Sequence, residues 1–375
     1  MLASQHAAAG ATFAQFQGVP TVSEYRSGFS NEYRAAKEFV GLMDRSWMGR
    51  VQLSGQDRFD FLNRMSTNDL IRAEFGTGLQ TVLTTPEARI IDLLTVYAEA
   101  GFLLCVTSPQ NRRKVLDEFR RKIFFRDRVK PIDVTDQTAQ FLLLGPRAME
   151  VLERLGGAGF VPLPDFHFRE ICVAGRKLLI ARVPHIAGGG FDVIGEDKDA
   201  AFLWQVLLEA GAGSGLQPIG TYAYNILRIE ASLPLYGYEL SDAVNPLEAQ
   251  LRQAISFSKG CYTGQEVIAR LDTYQKLKQQ LVGLRLSSPL VSVPPLPLYV
   301  NGIEVGQLTS VAQRPDTLDV IGLGYIRTKW NQPGSRVTIH AGEDEVAAIV
   351  ADLPFETSGE QRSPTESGRE ENTRV

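Results

Sequence analysis

One cysteine of the chain lies in a segment whose neighbours would make its thiol reactive. Cys261 is one of three cysteines in 375 residues, and it follows Lys259 and a glycine in the segment SKGCYTGQEVIAR. Residues 254–258 alternate in the manner of a strand, and Thr263 with Glu266 has the capping-box spacing of a helix start. A helix N-terminus and a lysine ammonium both favour a thiolate. The pattern therefore predicts a reactive or ligand-forming Cys261, with Lys259 as its catalytic partner.

The other residues of this motif would shape the turn that holds the thiol. Gly260 would supply a positive φ or allow another backbone to approach closely, and Gln265 would place an amide in the same turn. The remaining residues of the motif are Tyr262, Gly264, Glu266 and Arg270. The alternative is that Cys261 is a small apolar residue in a tight turn, with the glycines present for backbone reasons.

Irregularly alternating helices and strands must position this motif. A three-strand meander is predicted over 81–107, and further strands and helices follow, which favours an α+β fold. From residue 279 onward, short β-type runs surround Asn301-Gly302, a type I′ hairpin signal, and predict a small barrel-like domain. The expected domains are a flexible extension over 1–23, an α+β region of two intertwined subdomains over 24–278, a β-barrel over 279–355 and a disordered tail over 356–375.

Composition excludes several classes of protein. Apolar residues at 44%, charged residues at 22% and a net charge of −4 are those of a soluble globular protein. No apolar run is long enough to span a membrane. The three cysteines and four histidines are too scattered for a disulfide framework or a metal cluster. We therefore expect no metal, no membrane partner and a reducing compartment, by default the cytoplasm.

The motif KGCYTGQE, followed by VIAR, resembles the signature of the YgfZ family, folate-binding relatives of the glycine-cleavage T-protein. Further matches occur in order along the chain: STND at 66–69, GP at 145–146, LRIE at 227–230, PLYGYE at 234–239 and LGY at 323–325. The resemblance covers residues 24–355 and implies a T-protein-like module around a central channel that binds tetrahydrofolate or a derivative. It also implies a role in iron–sulfur cluster assembly or repair, with iron–sulfur client or assembly proteins as partners.

Aminomethyltransferases of the same superfamily are the main alternative. In them a Tyr-x-Gly-Glu motif binds the pterin ring, and the second of two adjacent aspartates activates the folate. Here the stretch 182–190 has Gly188 in place of that glutamate, and Asp92 is followed by Leu93. The resemblance thus implies folate binding without aminomethyl transfer, by an accessory protein rather than a conventional enzyme. If the protein is an enzyme, it would transfer an aminomethyl or other one-carbon group.

Three further residues are candidates for contact with the folate. Asp92 lies among apolar neighbours in a strand, so it is either a buried carboxylate of the site or an outward-facing residue. Asn68 either faces the channel or forms an Asx turn. Arg228 of the LRIE match either binds a folate carboxylate bidentately or pairs with Glu230 or another acid inside the protein.

A basic segment offers a second alternative function. Residues 112–130 contain nine basic and three acidic side chains, a charge that suits RNA or the polyglutamate tail of folate. This would make the protein an RNA-binding module related to tRNA modification. A solvated helix face is the other interpretation, with Phe124 and Phe125 in the core rather than stacked on bases.

Overall fold

Helices and strands alternate irregularly along the chain, as the sequence predicts for an α+β protein. The computed structural model describes residues 2–156, 163–183, 186–342 and 344–355, and the predicted tail over 356–375 lies outside them. The elements up to residue 156 are α1 (Ala3–Ala8), β1 (Thr12–Phe16), β2 (Val19–Glu24), α2 (Phe29–Glu38), β3 (Val40–Asp44), β4 (Gly49–Ser54), α3 (Arg58–Met65), β5 (Gly78–Thr84), β6 (Ile90–Ala98), β7 (Phe102–Thr107), α4 (Arg112–Lys122), β8 (Lys130–Asp133), β9 (Thr138–Leu144) and α5 (Ala148–Gly156). The elements up to residue 274 are β10 (Phe168–Val173), β11 (Arg176–Val183), β12 (Gly190–Glu196), α6 (Ala200–Gly211), β13 (Leu216–Pro218), α7 (Thr221–Glu230) and α8 (Gln265–Tyr274). The last six strands are β14 (Gln279–Leu286), β15 (Leu296–Val300), β16 (Ile303–Gln313), β17 (Val320–Arg327), β18 (Arg336–Ala341) and β19 (Asp344–Ala351).

The N-terminal segment is folded. Helix α1 and the hairpin of β1 and β2 occupy residues for which a flexible extension over 1–23 is predicted. Leu2, His6 and Phe16 are buried, and His6 Nε2 lies 3.0 Å from Asp44 Oδ2. The prediction is therefore wrong, because Leu2 and Phe16 of this alanine-rich segment pack into the buried clusters of the main body.

Two β-sheets form the body of the protein. One sheet has six strands in the order β10-β11-β12-β9-β3-β13, with β13 parallel to β3, and the other has five in the order β5-β6-β7-β4-β8. The second sheet contains the predicted meander as β5, β6 and β7. Tyr97 and Leu104 of this sheet share a buried cluster with Leu179 and Ile194 of the first. Burial of these apolar faces holds the sheets against each other.

The C-terminal strands close into a six-stranded barrel in the order β14-β17-β16-β15-β18-β19, which confirms the predicted barrel-like domain. Asn301 and Gly302 turn the chain between β15 and β16 with φ values of 51° and 76°, as the hairpin signal predicts. Leu323 of the barrel packs with Ile229 of α7 and Val82 of β5, so one apolar cluster joins the barrel to the body. In the described part of the chain, no helix combines the length and the hydropathy needed to cross a membrane.

Candidate functional site

A cavity of about 560 Å³ lies between the two sheets, the segment after α7 and the barrel domain. Strands of both sheets, the segment after α7 and the start of the barrel contribute to its wall. Leu93, Thr95 and Tyr97 of β6 line it on one side, and Asp192 of β12 lines it on another. Cavities of this size and mixed polarity hold small-molecule ligands.

Strand β6 directs Leu93 into the cavity and Asp92 away from it. Successive side chains of a strand point to opposite faces, and Asp92 is completely buried behind the wall. Its carboxylate accepts hydrogen bonds from the Ser108 amide at 2.9 Å, the Ser108 hydroxyl at 2.7 Å and the Leu93 amide at 3.0 Å. Burial nevertheless raises the pKa of Asp92 to about 6. Asp92 is thus a buried carboxylate that positions Ser108, which lines the cavity.

Replacing Asp92 with asparagine is expected to make stability less dependent on pH. The pKa of Asp92 in the folded state, about 6, exceeds the ordinary value of about 3.9 for the unfolded chain. The protonated Asp92 side chain therefore stabilises the fold. This contribution is fully present below the pKa of the unfolded chain and is lost as pH rises through the pKa of the folded state. Urea unfolding at pH 5 and pH 7 should show the wild type losing about 1 kcal/mol more than the variant. The exposed Asp242→Asn is the control, and equal pH dependence of wild type and Asp92→Asn would contradict the expectation.

The segment before Cys261 is irregular rather than extended in a sheet. A short 3-10 turn at Arg252–Ala254 is followed by irregular backbone over 255–260, so the strand predicted over 254–258 is not formed. The backbone of this segment pairs instead with the end of α3, where the Ser256 amide donates to the Thr67 carbonyl at 2.9 Å. Cys261 is exposed, so the alternative of a packed apolar residue does not describe its side chain.

Helix α8 begins differently from the predicted capping box. Its N-cap is Gly264, with φ 84° and no side-chain hydrogen bond to the cap, so Thr263 and Glu266 do not form the box. A Cβ on Gly264 would lie 2.8 Å from both Thr84 Oγ1 and the Thr85 carbonyl. The strained φ and close approach predicted for Gly260 therefore occur at Gly264. Gly260 has an ordinary φ and open space around it.

Lys259 holds the end of α3. Its ammonium donates to the carbonyls of Asn63 at 2.7 Å, Ser66 at 2.8 Å and Asn68 at 2.5 Å. These three acceptors engage all three N–H groups of an ammonium. Asn63 is in the last turn of α3, where helix carbonyls lack partners, and Ser66 and Asn68 belong to the segment that follows the helix. Burial lowers the pKa of Lys259 to about 8, so the group is still mainly protonated at neutral pH. The predicted effect of Lys259 on Cys261 remains a prediction.

The other motif residues divide between packing and solvent. Tyr262 is buried with Ile268 of α8, and the backbone N–H of Gln265 donates to the backbone carbonyl of Tyr262 at 3.2 Å. Glu266 and Arg270 are exposed on α8. Tyr262 therefore fixes the turn from inside, while Cys261, Glu266 and Arg270 are exposed to solvent.

The remaining cysteines differ from each other. Cys105 of β7 is fully buried, and burial raises the pKa of its thiol, as expected for an inert residue. Cys172 of β10 is exposed, because β10 is the edge strand of its sheet. Cys172 is therefore a matched exposed thiol for tests of Cys261. Across the described ranges, no group of three or more potential metal ligands is brought together.

Asn68 and Arg228 are held within the protein. Asn68 Nδ2 donates to the Gln80 carbonyl at 2.8 Å, and its Oδ1 accepts from the amide of the next residue, Asp69, at 2.9 Å. The i+2 contact of an Asx turn is made by Asp69 instead, whose Oδ1 accepts from the Ile71 amide at 3.1 Å. Arg228 is fully buried and pairs with Glu239 at 2.8 Å. It also donates to Asn225 at 2.9 Å and to Ser310 at 2.5 Å. Its geometry is that of the internal ion pair, although the partner is Glu239 rather than Glu230.

The basic segment presents aromatic residues to solvent. Phe125 is 93% and Phe124 is 63% exposed, so the prediction that they lie in the core is wrong. Several basic side chains are neutralised locally: Arg112 pairs with Asp133 and Asp136, Arg121 with Glu118, and Arg128 with Asp57. This pairing reduces the free positive charge available for RNA.

Sequence analysis missed the polar residues that line the cavity. Gln17, Arg45, Tyr97 and Asp192 all contribute to its wall. Burial and the neighbouring carboxylate raise the pKa of Tyr97 well above its ordinary value, so its hydroxyl keeps its proton and donates to Asp192 Oδ2 at 3.0 Å. A lone aspartate in the apolar stretch 191–194 was the available signal. The sequence does not show that these four residues line one cavity, because they lie far apart along the chain.

The fold and cavity define a small-molecule-binding module closed by a C-terminal barrel. Residues 2–259 match the GCVT N-terminal domain, and residues 279–356 match the glycine cleavage T-protein C-terminal barrel domain. The chain therefore belongs to the glycine cleavage T-protein family, which confirms the predicted resemblance at the level of this superfamily.

Named relatives include transferases. The chain is 35% identical over 330 residues to a putative chloroplastic transferase of Arabidopsis thaliana, covering 87% of this chain and 74% of that protein. It is 31% identical to an aminomethyltransferase of Moorella thermoacetica, covering 94% and 96% of the two chains. The crystal structure of glycine cleavage system aminomethyltransferase T from Bartonella henselae superposes with a TM-score of 0.86 at 24% identity, covering 95% and 97%, and it shows the shared fold.

These comparisons confirm the predicted ligand class, since the aminomethyltransferases of this family bind tetrahydrofolate. The residues present fit such a ligand, because the cavity is large enough and has buried polar atoms without partners on its wall. The relatives' names do not support the expectation of a protein that is not an enzyme. The predicted cytoplasmic location stays a prediction, as the Arabidopsis relative is described as chloroplastic.

Proposed function

We propose that this chain is a YgfZ-type, tetrahydrofolate-binding protein that supports iron–sulfur cluster assembly or repair and does not transfer aminomethyl groups. The observation that carries the proposal is the side chain of Leu93 on the cavity wall, with Asp92 directed behind it. In an aminomethyltransferase, the resemblance implies an activating carboxylate at the position of Leu93. A leucine can neither accept a proton nor stabilise a developing positive charge on the folate.

The exposed thiol of Cys261 supplies the second half of the proposal. An accessible cysteine can ligate iron of a cluster or form a disulfide with a partner thiol, and a buried one such as Cys105 cannot. Cys261 lies in an irregular segment outside the cavity wall. Folate binding and thiol chemistry would thus occur at separate places on the molecule.

Aminomethyl or other one-carbon transfer is the second candidate function. It is favoured by relatives named aminomethyltransferase that match nearly the whole chain, such as the Moorella protein. On this alternative another group of the cavity would replace the missing aspartate.

A paired assay separates the two functions. The purified protein should bind 5-formyltetrahydrofolate in calorimetry and show no aminomethyl transfer above background in a reconstituted glycine-cleavage assay. In cells defective in iron–sulfur enzymes for lack of a protein of this type, wild type and Cys172→Ser should restore enzyme activity, and Cys261→Ser should not. Robust aminomethyl transfer, or full restoration by Cys261→Ser, would overturn the proposal.

A further inference from the structure

The loop between α4 and β8 holds two aromatic side chains out into solvent. Phe125 is 93% exposed and Phe124 is 63% exposed. The backbone N–H of Phe124 donates to Asp127 Oδ2 at 2.9 Å, and the backbone N–H of Asp127 donates to the Phe124 carbonyl at 2.9 Å. Arg64 of α3 pairs with Asp127 at 3.0 Å and ties this turn to the body of the protein. Because the turn is already ordered, a partner that binds the two rings would have little backbone to immobilise.

Unpaired positive charge accompanies the aromatic pair. Lys122 lies two residues before Phe124, and Arg126 Cζ lies 5.2 Å from the centre of the Phe125 ring. Lys122 and Arg121 also line a cleft of about 330 Å³. Five basic side chains of the segment 112–130 make no ion pair within the described residues: Arg113, Lys114, Lys122, Arg126 and Lys130. Exposed aromatic residues next to arginine are typical of surfaces at which proteins bind one another.

We propose that Phe124 and Phe125, with the unpaired cations of the segment 112–130, form a docking surface for an acidic protein. The two rings would enter an apolar depression of the partner, and carboxylates around that depression would pair with the cations. This inference goes beyond the proposed function, because it depends neither on the ligand of the cavity nor on Cys261.

RNA and a second copy of the chain fit this surface less well. A guanidinium lies over each ring, that of Arg64 at 5.5 Å from the centre of Phe124 and that of Arg126 at 5.2 Å from the centre of Phe125, so less ring surface is left for stacking on bases. A symmetric pair of copies would bring the same cations together, and a contact with a different surface of the next copy would continue into rings or filaments. A separate acidic protein meets neither obstacle.

Photo-crosslinking in the cells that naturally produce the chain identifies what contacts the surface. The photoreactive amino acid p-benzoylphenylalanine replaces Phe125 in the full chain, and in a control it replaces Ile303, which is 56% exposed on the barrel. We expect the Phe125 position, and not the Ile303 position, to cross-link to a protein of net negative charge. Cross-linking to RNA, to a second copy of the chain or to no macromolecule would overturn the inference, as would the same product from the Ile303 position.

Calorimetry with the purified partner and the full chain then measures what the rings and the cations contribute to affinity. Phe124→Ser combined with Phe125→Ser should weaken binding about 10- to 100-fold. Lys122→Glu combined with Arg126→Glu should weaken it about 10-fold or more, and the affinity of the wild type should fall as salt rises from about 50 to about 300 mM. Ile303→Ser should bind as the wild type does, and all three variants should keep the wild-type melting temperature because the changed residues lie at the surface. Unchanged affinity in the phenylalanine variant, or affinity that responds neither to charge reversal nor to salt, would overturn the inference.

Discussion

Replacing Arg228 with methionine is expected to lower the free energy of unfolding by about 3–5 kcal/mol. Arg228 and Glu239 are both fully buried, at 2.8 Å from each other. Methionine fills a similar volume but leaves the Glu239 carboxylate without its counter-charge, and a buried unpaired charge is strongly destabilising. Urea unfolding monitored by tryptophan fluorescence measures the loss. The exposed Arg285, on the barrel surface, provides the control Arg285→Met, for which we expect a change below about 0.5 kcal/mol.

A second variant separates the charge from the packing. Arg228→Met combined with Glu239→Gln removes both charges, and Thr309 and Ser310 can still donate to the amide oxygen that replaces a Glu239 oxygen. We therefore expect the double variant to recover part of the lost stability. If Arg228→Met instead unfolds like the wild type and only folate affinity falls, Arg228 contacts the ligand and the ion pair is incidental.

The elements that depend on local pattern were predictable from the sequence. The alternation in 81–107 gives β5, β6 and β7, and the Asn301-Gly302 signal gives the turn between β15 and β16. Side chains at alternate positions and turn residues with positive φ act over a few neighbours, so the sequence pattern contains them directly.

Features that depend on distant contacts were not predictable in the same way. The carbonyls that Lys259 contacts lie 191 to 196 residues earlier in the chain, and nothing near Lys259 indicates them. Gly264 is required because β5 and the following turn approach it, which a local capping-box pattern cannot show. The N-terminal segment folds because Phe16 packs against the aromatic rings of Trp47, Tyr224 and Tyr238. This is a tertiary contact that the alanine-rich local sequence does not indicate.

Replacing Lys259 with methionine is expected to lower the free energy of unfolding by about 2–4 kcal/mol. Methionine retains most of the aliphatic stem but donates no hydrogen bond, so the carbonyls of Asn63, Ser66 and Asn68 lose their common partner. Lys259 is only half-buried, so water can hydrogen-bond some of these carbonyls in the variant. The expected loss of stability is therefore smaller than the cost of leaving all three carbonyls buried and unpaired. The exposed Lys276→Met in the loop after α8 is the matched control.

The rate at which iodoacetamide alkylates Cys261 in Lys259→Met tests whether the charge of Lys259 activates the thiol. If the ammonium acts by charge, Lys259→Met should react more slowly across neutral pH while Lys259→Arg, which keeps the charge, reacts at nearly the wild-type rate. If it acts by holding the end of α3, both variants should be destabilised, because a planar guanidinium cannot reproduce three converging ammonium contacts. The contacts to three backbone carbonyls favour the second result. Full stability of Lys259→Met with slow alkylation would instead support the role predicted from the motif alone.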